Sequence, residues 1–312
     1  GRVCIVYPFH GRVLVGSTDI PVDDPDQIAT EPAEVDYLLE VLGEVFPNLS
    51  FDRGNVVYTY VGVRPLARSD ADKPGQISRD HSVVVDSPSA SRDIPVVGLV
   101  GGKWTTFRAL AEEATDEVLH LLRRGRTAST RHRPIGGGAD LPRGAQATEQ
   151  CVERITRESG LTRTRAHALL HRYGSDALRM AQAFKVMGDA PLQHAPEYSV
   201  AEIAWLCTET GVIHLDDLVI RRTLLAIRGL ATDDLLAEMA RIAAQALAWD
   251  GEREQQELHN CATELRERHG VRLAPAAAAH HSPGALETTM APSDAVLAVH
   301  ASLPIHTALS PS

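Results

Sequence analysis

The order of apolar and polar positions changes from strand-like to helix-like about one third of the way along the chain. The first 100 residues contain short runs rich in β-branched residues, which are typical of strands. These runs lie at residues 2–9, 12–19, 55–66, 81–86 and 94–100. The dipeptide His10-Gly11 between the first two runs predicts a hairpin turn. Apolar residues at helical spacing predict one helix over residues 30–46, which opens at Thr30 and Pro32.

From Thr105 onwards the apolar positions recur with the period of a helix. A polar stretch rich in Gly and Arg follows, and beyond it the pattern is helical throughout, with a capping-box sequence at residues 199–202 and a second helix start at Thr232. The end of the chain is rich in Ala, Pro, Ser and His with little periodicity, which predicts disorder. The sequence thus predicts a β-rich domain over residues 1–125, a linker over 126–145, a helical domain over 146–270 and a disordered tail over 271–312.

Composition narrows the class of protein. The formal net charge is −10 and the basic residues are scattered, which argues against nucleic-acid binding. The 4 cysteines lie far apart without a C-x-x-C pair, so we expect no disulfide framework and no metal ion, and a cytoplasmic location. No apolar run is long enough for a transmembrane helix. The first residue is Gly1 and no signal pattern precedes the first strand, so we expect this sequence to be a fragment of a longer protein.

The stretch "VGLVGGKWTTF" places Gly101, Gly102 and Lys103 between a predicted strand and a predicted helix. Glycines there allow another group to approach backbone N–H groups at the positive end of a helix, which suits an anion or the edge of a flavin ring. Lys103 adds a positive charge, and Thr105 and Thr106 can cap the helix. A plain strand-to-helix turn explains the local pattern as well. Neither a P-loop nor a G-x-G-x-x-G motif is present.

Other polar residues lie near the ends of predicted strands. Arg64 follows an apolar run, where an anion or a structural salt bridge to an aspartate would equally offset its burial. Ser17 and Thr18 follow another run, although a simple turn explains them taken alone. His81 belongs to a charged stretch that, taken alone, is a solvated loop. Together, converging strand ends with hydroxyls, an arginine and a lysine predict a pocket for a phosphate or a carboxylate.

The segments "GRVLVGSTD", "YTYVGVRPL", "ISRDH" and "GGKWTTFRALAEEATD", in this order and spacing, resemble the FAD-dependent glycerol-3-phosphate dehydrogenases. The helical segment "YSVAEIAWLCTETGVIHLDDLVIRRTLLAIRG" resembles the C-terminal domain of the same family, so that the likeness covers about residues 1–265. The fold class implied is α+β, with a mixed β-sheet domain of the D-amino-acid-oxidase-like type followed by an all-α domain.

The resemblance implies roles for individual residues. The cofactor FAD would be contacted by the loop of residues 101–105, that is by Gly101, Gly102, Lys103, Trp104 and Thr105. The substrate phosphate would be bound by Arg64, and the hydroxyls of Ser17 and Thr18 would line the substrate pocket together with Lys103. The general base is not assigned by the resemblance, and His81 and Lys103 are the candidates that this chain offers.

The implied reaction is the oxidation of sn-glycerol 3-phosphate to dihydroxyacetone phosphate, with hydride transfer to the flavin and electrons passed to a quinone. A homodimer and a peripheral contact with the inner face of the cell membrane are further expectations. The alternatives are an oxidase that uses oxygen and a non-catalytic interaction module built on the helical half. Because the family's N-terminal G-x-G-x-x-G segment is absent from this sequence, we expect the chain alone to bind FAD poorly and to be inactive.

Overall fold

The computed structural model describes residues 4–66, 80–273 and 295–304, of which residues 64–66 and 295–304 are described by their backbone. The strands are β1 (Ile5–Phe9), β2 (Arg12–Gly16), β3 (Ile20–Pro21), β4 (Val56–Leu66), β5 (Ser82–Asp86), β6 (Val96–Val100) and β7 (Ala295–Pro304). The helices are α1 (Pro32–Val45), α2 (Phe107–Leu121), α3 (Ala145–Ser159), α4 (Arg163–Tyr173), α5 (Ala177–Met187), α6 (Val200–Glu209), α7 (Asp233–Leu247) and α8 (Gly251–Glu267). The predicted combination of strands with a helical C-terminal half is confirmed.

The chain divides into two compact units. The first unit takes the described residues within Gly1–Val15, Thr30–Tyr60 and Pro134–Leu297. The second takes those within Gly16–Ala29, Val61–Arg133 and Ala298–Ser312. Strand β4 begins in the first unit and ends in the second. This division groups residues by their tertiary contacts and not by their position along the chain. It therefore does not test the domain bounds drawn from the sequence, which stay predictions.

In the first unit the predicted hairpin and helix both form. Strands β1 and β2 are neighbours, and the two residues between them, His10 and Gly11, have φ of 47° and 79°. Positive φ at both central positions matches the right-handed twist of a two-residue hairpin. Helix α1 begins at Pro32, a favoured first position because proline has no N–H to leave unsatisfied.

The helices of the first unit enclose two apolar cores. Helices α3, α4 and α5 pack together around fully buried Ile155, Leu169 and Phe184. Helix α7 packs against α6 and α8, and its Leu235 and Met239 are fully buried. Thr162, Ser199, Thr232 and Asp250 cap α4, α6, α7 and α8, since each side chain accepts a hydrogen bond from an N–H in the first helical turn. Apolar burial and satisfied helix ends therefore favour the same helical arrangement, as expected of a stable helical core.

One buried carboxylate ties α4 to α6. Glu202 is fully buried, and its carboxylate lies 2.7 Å from Arg165 and 3.0 Å from Arg172, and accepts a hydrogen bond from the Tyr173 hydroxyl at 2.6 Å. The sequence predicts a capping box in which this side chain turns back to the backbone of Ser199. The structure keeps only the half in which the Ser199 Oγ accepts from the Glu202 N–H, because two arginines of α4 recruit the carboxylate.

The start of β4 is bonded to the end of the helical half. The Thr59 N–H donates to the His269 carbonyl at 3.0 Å, and the His269 ring lies 2.8 Å from the Thr59 carbonyl. The same ring stacks on Tyr58 with centroids 4.5 Å apart. Gly229 has φ of 67°, and a Cβ there would lie 2.7 Å from the Cβ of Val57. These contacts join residues about 170 to 210 positions apart, so no local pattern predicts them.

In the second unit, β5 and β6 form an antiparallel hairpin with Ser82 opposite Val100. Arg92 closes its loop by donating to the Asp86 carboxylate at 2.8 Å and to the Ser87 carbonyl at 2.7 Å. Helix α2 packs on both strands. Part of the predicted linker folds back onto this helix, where Arg126 pairs with Glu112 and Asp116, because the polar residues of the linker find carboxylates on α2.

Strand β7 lies inside the segment predicted to be a disordered tail. It pairs in parallel with β3, with Ile20 opposite Ala301 and Pro21 opposite Ser302. A short alternation of Ala, Val and Leu follows the Ala/Pro-rich stretch, and pairing with another strand satisfies its backbone groups. Apart from this strand, the predicted tail after Leu273 lies outside the described residues.

Candidate functional site

The glycine pair follows β6 directly, and both glycines have positive φ, 71° at Gly101 and 106° at Gly102. A Cβ on Gly101 would lie 2.7 Å from the backbone carbonyl oxygen of Asp80, closer than real Cβ contacts come. A Cβ on Gly102 would lie 3.3 Å from a methyl group of Leu110 in α2. A glycine is therefore needed at position 101 in part because the protein's own backbone lies so close to it. The sequence alone did not predict this contact.

The backbone N–H groups of this loop divide into two sets. The Lys103 N–H donates to Thr106 Oγ1 at 3.0 Å, within a short 3₁₀ turn over Trp104–Thr106. Thr106 therefore closes the turn instead of capping α2 with its side chain. Within the described residues, the N–H groups of Gly101 and Gly102 have no protein acceptor. Two donors remain available at this loop.

The loop itself is exposed. Lys103 and Thr105 are exposed, and Trp104 is 93% exposed, with Phe107 of α2 beside it at a ring-centroid distance of 6.4 Å. A positive charge and a large aromatic surface thus stand next to the two available N–H groups. Large exposed aromatic residues of this kind are common at binding surfaces.

His81 lies beside the glycine pair and has a carboxylate partner. Its Nε2 is 3.2 Å from Glu113 Oε1 of α2, and its side chain is 17% exposed against 58% for Glu113. A Cβ on Gly102 would come within 3.7 Å of the His81 Cβ. A carboxylate on one ring nitrogen orients the imidazole. The structure thus brings together His81, the glycine pair and α2.

Sequence reasoning missed Glu113 and Asp80. A signal for Glu113 exists in the helical period, because Leu110 and Glu113 are three positions apart and share one face of α2. No local signal points to the Asp80 carbonyl, which approaches Gly101 only through the antiparallel pairing of β5 and β6.

The other predicted substrate residues lie on different elements of the same unit. Ser17 and Thr18 follow the end of β2, where Ser17 is partly exposed and Thr18 is buried, with 1% exposure. Arg64 lies within β4, two residues before its end at Leu66, and its side chain is outside the described part. Their roles stay predictions.

Two cysteines of the helical half are buried. Burial raises the pKa of the Cys207 and Cys261 thiols to about 12. Such thiols stay protonated and inert.

Over the described ranges, no group of three or more His, Cys, Asp or Glu side chains could hold a metal ion. The described helices include none that is long and apolar enough to cross a membrane.

Comparisons with known proteins bear on both halves of the chain. Residues 1–117 match the family "FAD dependent oxidoreductase", and residues 128–254 match the family "C-terminal domain of alpha-glycerophosphate oxidase". A glycerol-3-phosphate dehydrogenase of Mycobacterium leprae is 31% identical over 263 residues, which are 80% of this chain and 42% of that protein. The aerobic glycerol-3-phosphate dehydrogenase of Escherichia coli is 28% identical over 224 residues, which are 71% of this chain and 44% of that protein.

The fold is also found among solved structures. The glycerol-3-phosphate dehydrogenase from Bacillus halodurans complexed with FAD aligns with a TM-score of 0.59 at 19% identity, covering 78% of this chain and 47% of that one. The chain thus spans about two fifths of the length of the curated relatives that it matches. Together the two family matches cover most of the residues. Both relatives are glycerol-3-phosphate dehydrogenases, which agrees with the order of motifs in the sequence. In both halves the chain is similar to the FAD-dependent glycerol-3-phosphate dehydrogenases.

Proposed function

We propose that this chain takes part in the FAD-dependent oxidation of sn-glycerol 3-phosphate to dihydroxyacetone phosphate, as the portion that binds the substrate and contacts the flavin. The observation that carries the proposal is the loop after β6, where two N–H groups without an acceptor among the described residues lie beside exposed Lys103 and the His81–Glu113 pair. The loop belongs to the stretch that matches the FAD dependent oxidoreductase family.

The residues of the loop fit the electron-rich edge of a flavin ring. The N–H groups of Gly101 and Gly102 would donate to it, and Lys103 would add an attractive positive charge that favours an anionic ring. Exposed Trp104 and Thr105 would contact the cofactor beside them. The bound flavin would supply the redox chemistry by accepting a hydride from C2 of the substrate.

The phosphate of the substrate would be bound by Arg64, whose planar fork suits two phosphate oxygens at once. The Ser17 hydroxyl is partly exposed and would donate or accept a hydrogen bond at the substrate. Thr18 is buried, so a direct contact would require its surroundings to shift. Lys103, from the flavin loop, would lie at the same pocket.

Oxidation of the C2 alcohol also requires a base for the hydroxyl proton. His81 suits this role better than Lys103, because the Glu113 carboxylate 3.2 Å from its Nε2 would hold the ring in one orientation. The proton of the hydroxyl would pass to Nδ1, the ring nitrogen of His81 on the side away from Glu113.

The electron acceptor that we propose is a quinone. A quinone dissolved in a membrane would require a peripheral contact of the enzyme with that membrane, and a homodimer and a cytoplasmic location remain part of the proposal. Oxygen is the second candidate acceptor, favoured by the match of residues 128–254 to a domain named after an alpha-glycerophosphate oxidase.

The experiment measures flavin content and glycerol-3-phosphate-dependent dye reduction. It uses this chain and the same chain expressed together with its upstream coding sequence. Arg64→Ala in the active form is expected to raise KM about 10- to 100-fold, because charged hydrogen bonds to one phosphate contribute about 1.5–3 kcal/mol. The matched control is Arg124→Ala, an exposed arginine whose side chain makes no hydrogen bond to the described residues. Its KM is expected to stay unchanged.

The same preparation distinguishes the acceptors. Reduction of a soluble quinone without peroxide formation supports the dehydrogenase, and stoichiometric peroxide supports the oxidase. Absence of flavin and of activity in both forms would refute the enzyme and favour an interaction module in the helical half.

A further inference from the structure

The first unit contains a second polar pocket, which none of the roles above uses. It lies between the start of α1, the start of β4 and the end of α8, and has a volume of about 200 Å³. Its polar lining consists of Thr30, Arg53, Thr59, Glu267, Arg268 and Arg272. We call it the arginine pocket. All its lining residues belong to the first unit, whereas the glycine loop belongs to the second.

Three guanidinium groups in one small pocket repel one another unless negative charge offsets them. Arg53 has a close partner, since it donates to both carboxylate oxygens of Asp36, at 2.7 Å and 2.6 Å. Arg268 has a loose one, because Glu264 lies 3.7 Å away.

Arg272 differs from the other two. It donates to the Arg53 carbonyl at 2.8 Å, and no carboxylate among the described residues lies within ion-pair distance of it. Glu267 also lines the pocket and forms no ion pair with the described residues. Within the described part of the chain, the pocket therefore holds one arginine without a carboxylate partner and one opposing carboxylate.

Neutral donors complete the lining. The Oγ1 of Thr30 is buried and has no hydrogen-bond partner among the described residues, which is unusual for a buried hydroxyl. Gly270 has φ of 63°, and a Cβ there would lie 3.8 Å from Thr59 Oγ1. A side chain at this position would occupy space that the glycine leaves open beside the Thr59 hydroxyl.

We propose that the arginine pocket binds a small oxyanion, a phosphate group carried either by inorganic phosphate or by a small phosphomonoester. Guanidinium forks and hydroxyls are the donors that recognise phosphate oxygens. The volume corresponds to about seven water molecules at roughly 30 Å³ each, which is enough for one phosphate group and well below the size of a dinucleotide site. Glu267 opposes the anion and keeps the affinity modest.

The test titrates the full chain with inorganic phosphate at constant ionic strength, with chloride as the reference salt, and measures binding by calorimetry and by the shift in melting temperature. The expected result is saturable binding that weakens at least tenfold in Arg272→Gln. The matched control is Arg266→Gln, whose side chain pairs with Asp233 at 2.9 Å and does not line the pocket, and binding is expected to be unchanged there.

Two further variants guard against loss of folding and against binding elsewhere. Glu267→Gln removes the opposing charge and is expected to tighten binding about two- to fivefold, a gain that misfolding cannot produce. Arg64→Ala removes the proposed contact with the substrate phosphate, and phosphate binding at the arginine pocket is expected to persist in this variant and to weaken at least tenfold when Arg272→Gln is added. Equal stabilisation by chloride, unchanged binding in Arg272→Gln, or binding lost in Arg64→Ala would each overturn the proposal.

A comparison of ligands identifies the source of the phosphate group. If glucose 6-phosphate binds more tightly than inorganic phosphate and Arg272→Gln weakens both, the pocket takes phosphomonoesters. If only inorganic phosphate binds, the free ion is the ligand. Neither outcome depends on flavin or on dehydrogenase activity, so failure here leaves the proposed function of the glycine loop untouched.

Discussion

The helical half of the first unit and the β5–β6–α2 part of the second unit bury their apolar side chains to very different extents. Leu235, Leu236 and Met239 of α7 are fully buried, whereas α2 has no buried residue. Leu99 of β6 and Phe107 of α2 are 55% and 49% exposed. The helical half therefore has a closed core of its own. Order in the described part of the second unit rests more on backbone pairing, surface ion pairs and glycine turns.

The largest expected effect is the loss of the buried carboxylate in the helical half. Glu202→Ala leaves Arg165 and Arg172 without their shared partner, and breaking a buried pair costs about 3–5 kcal/mol of unfolding free energy. Urea denaturation measures the change. The control is Glu209→Ala, whose pair with Arg179 is exposed and contributes about 0–1 kcal/mol. Equal losses in the two variants would contradict the buried-network interpretation.

The second prediction tests the close contact between the helical half and β4. Gly229→Ala and Gly211→Ala place a side chain at nearly the same φ, 67° and 69°, which costs about 1–2 kcal/mol in each. Only the Cβ at 229 meets Val57, at 2.7 Å, while nothing lies within 4 Å of the Cβ at 211. Gly229→Ala is therefore expected to lose about 1–3 kcal/mol more in urea denaturation. A difference near zero would show that Val57 moves away without cost.

In the second unit, Gly101→Ala is expected to act locally. The new Cβ meets the Asp80 carbonyl at 2.7 Å and the residue keeps a φ of 71°, so the loop and the neighbouring strand must separate, at a cost of about 2 kcal/mol. Hydrogen exchange is expected to accelerate in β5 and β6 and to stay unchanged in α6 and α7. Gly125→Ala, which meets nothing within 4 Å, is the control. Faster exchange throughout the helical half would refute a local effect.

The smallest expected effect is on the pH dependence of stability. Burial lowers the pKa of His269 below its ordinary value of 6.5, so the unfolded chain binds this proton more readily than the folded one. The stability contributed by the neutral ring is therefore present above about pH 6.5 and is lost as the pH falls below it. His269→Phe keeps the stacking on Tyr58 and removes the titration. Its melting temperature is expected to fall less than that of the original chain between pH 8 and pH 5.5, and identical profiles would contradict this.

Local patterns predicted many elements of the fold correctly. His10-Gly11 predicted the hairpin, and the helix starts at Ser199 and Thr232 have the caps that their side chains suggest. These features depend on residues within one or two turns of each other, so they can be deduced from neighbouring letters. The candidate site was predictable only in part. The glycine loop and His81 were found, but Glu113 was not, because its pairing depends on how α2 lies against β5.

The sequence by itself determined the period of each element, the turns that need glycine, the helix caps and, through the order of its motifs, the likeness to the FAD-dependent glycerol-3-phosphate dehydrogenases. Only the tertiary structure decided which partner each polar group takes. Glu202 bonds to two arginines some 30 to 40 positions away instead of its own cap, Gly101 faces the Asp80 carbonyl, and His269 pairs with Thr59. The physical reason is that hydrogen bonds and close contacts act over a few ångströms, and packing sets which distant residues come that close.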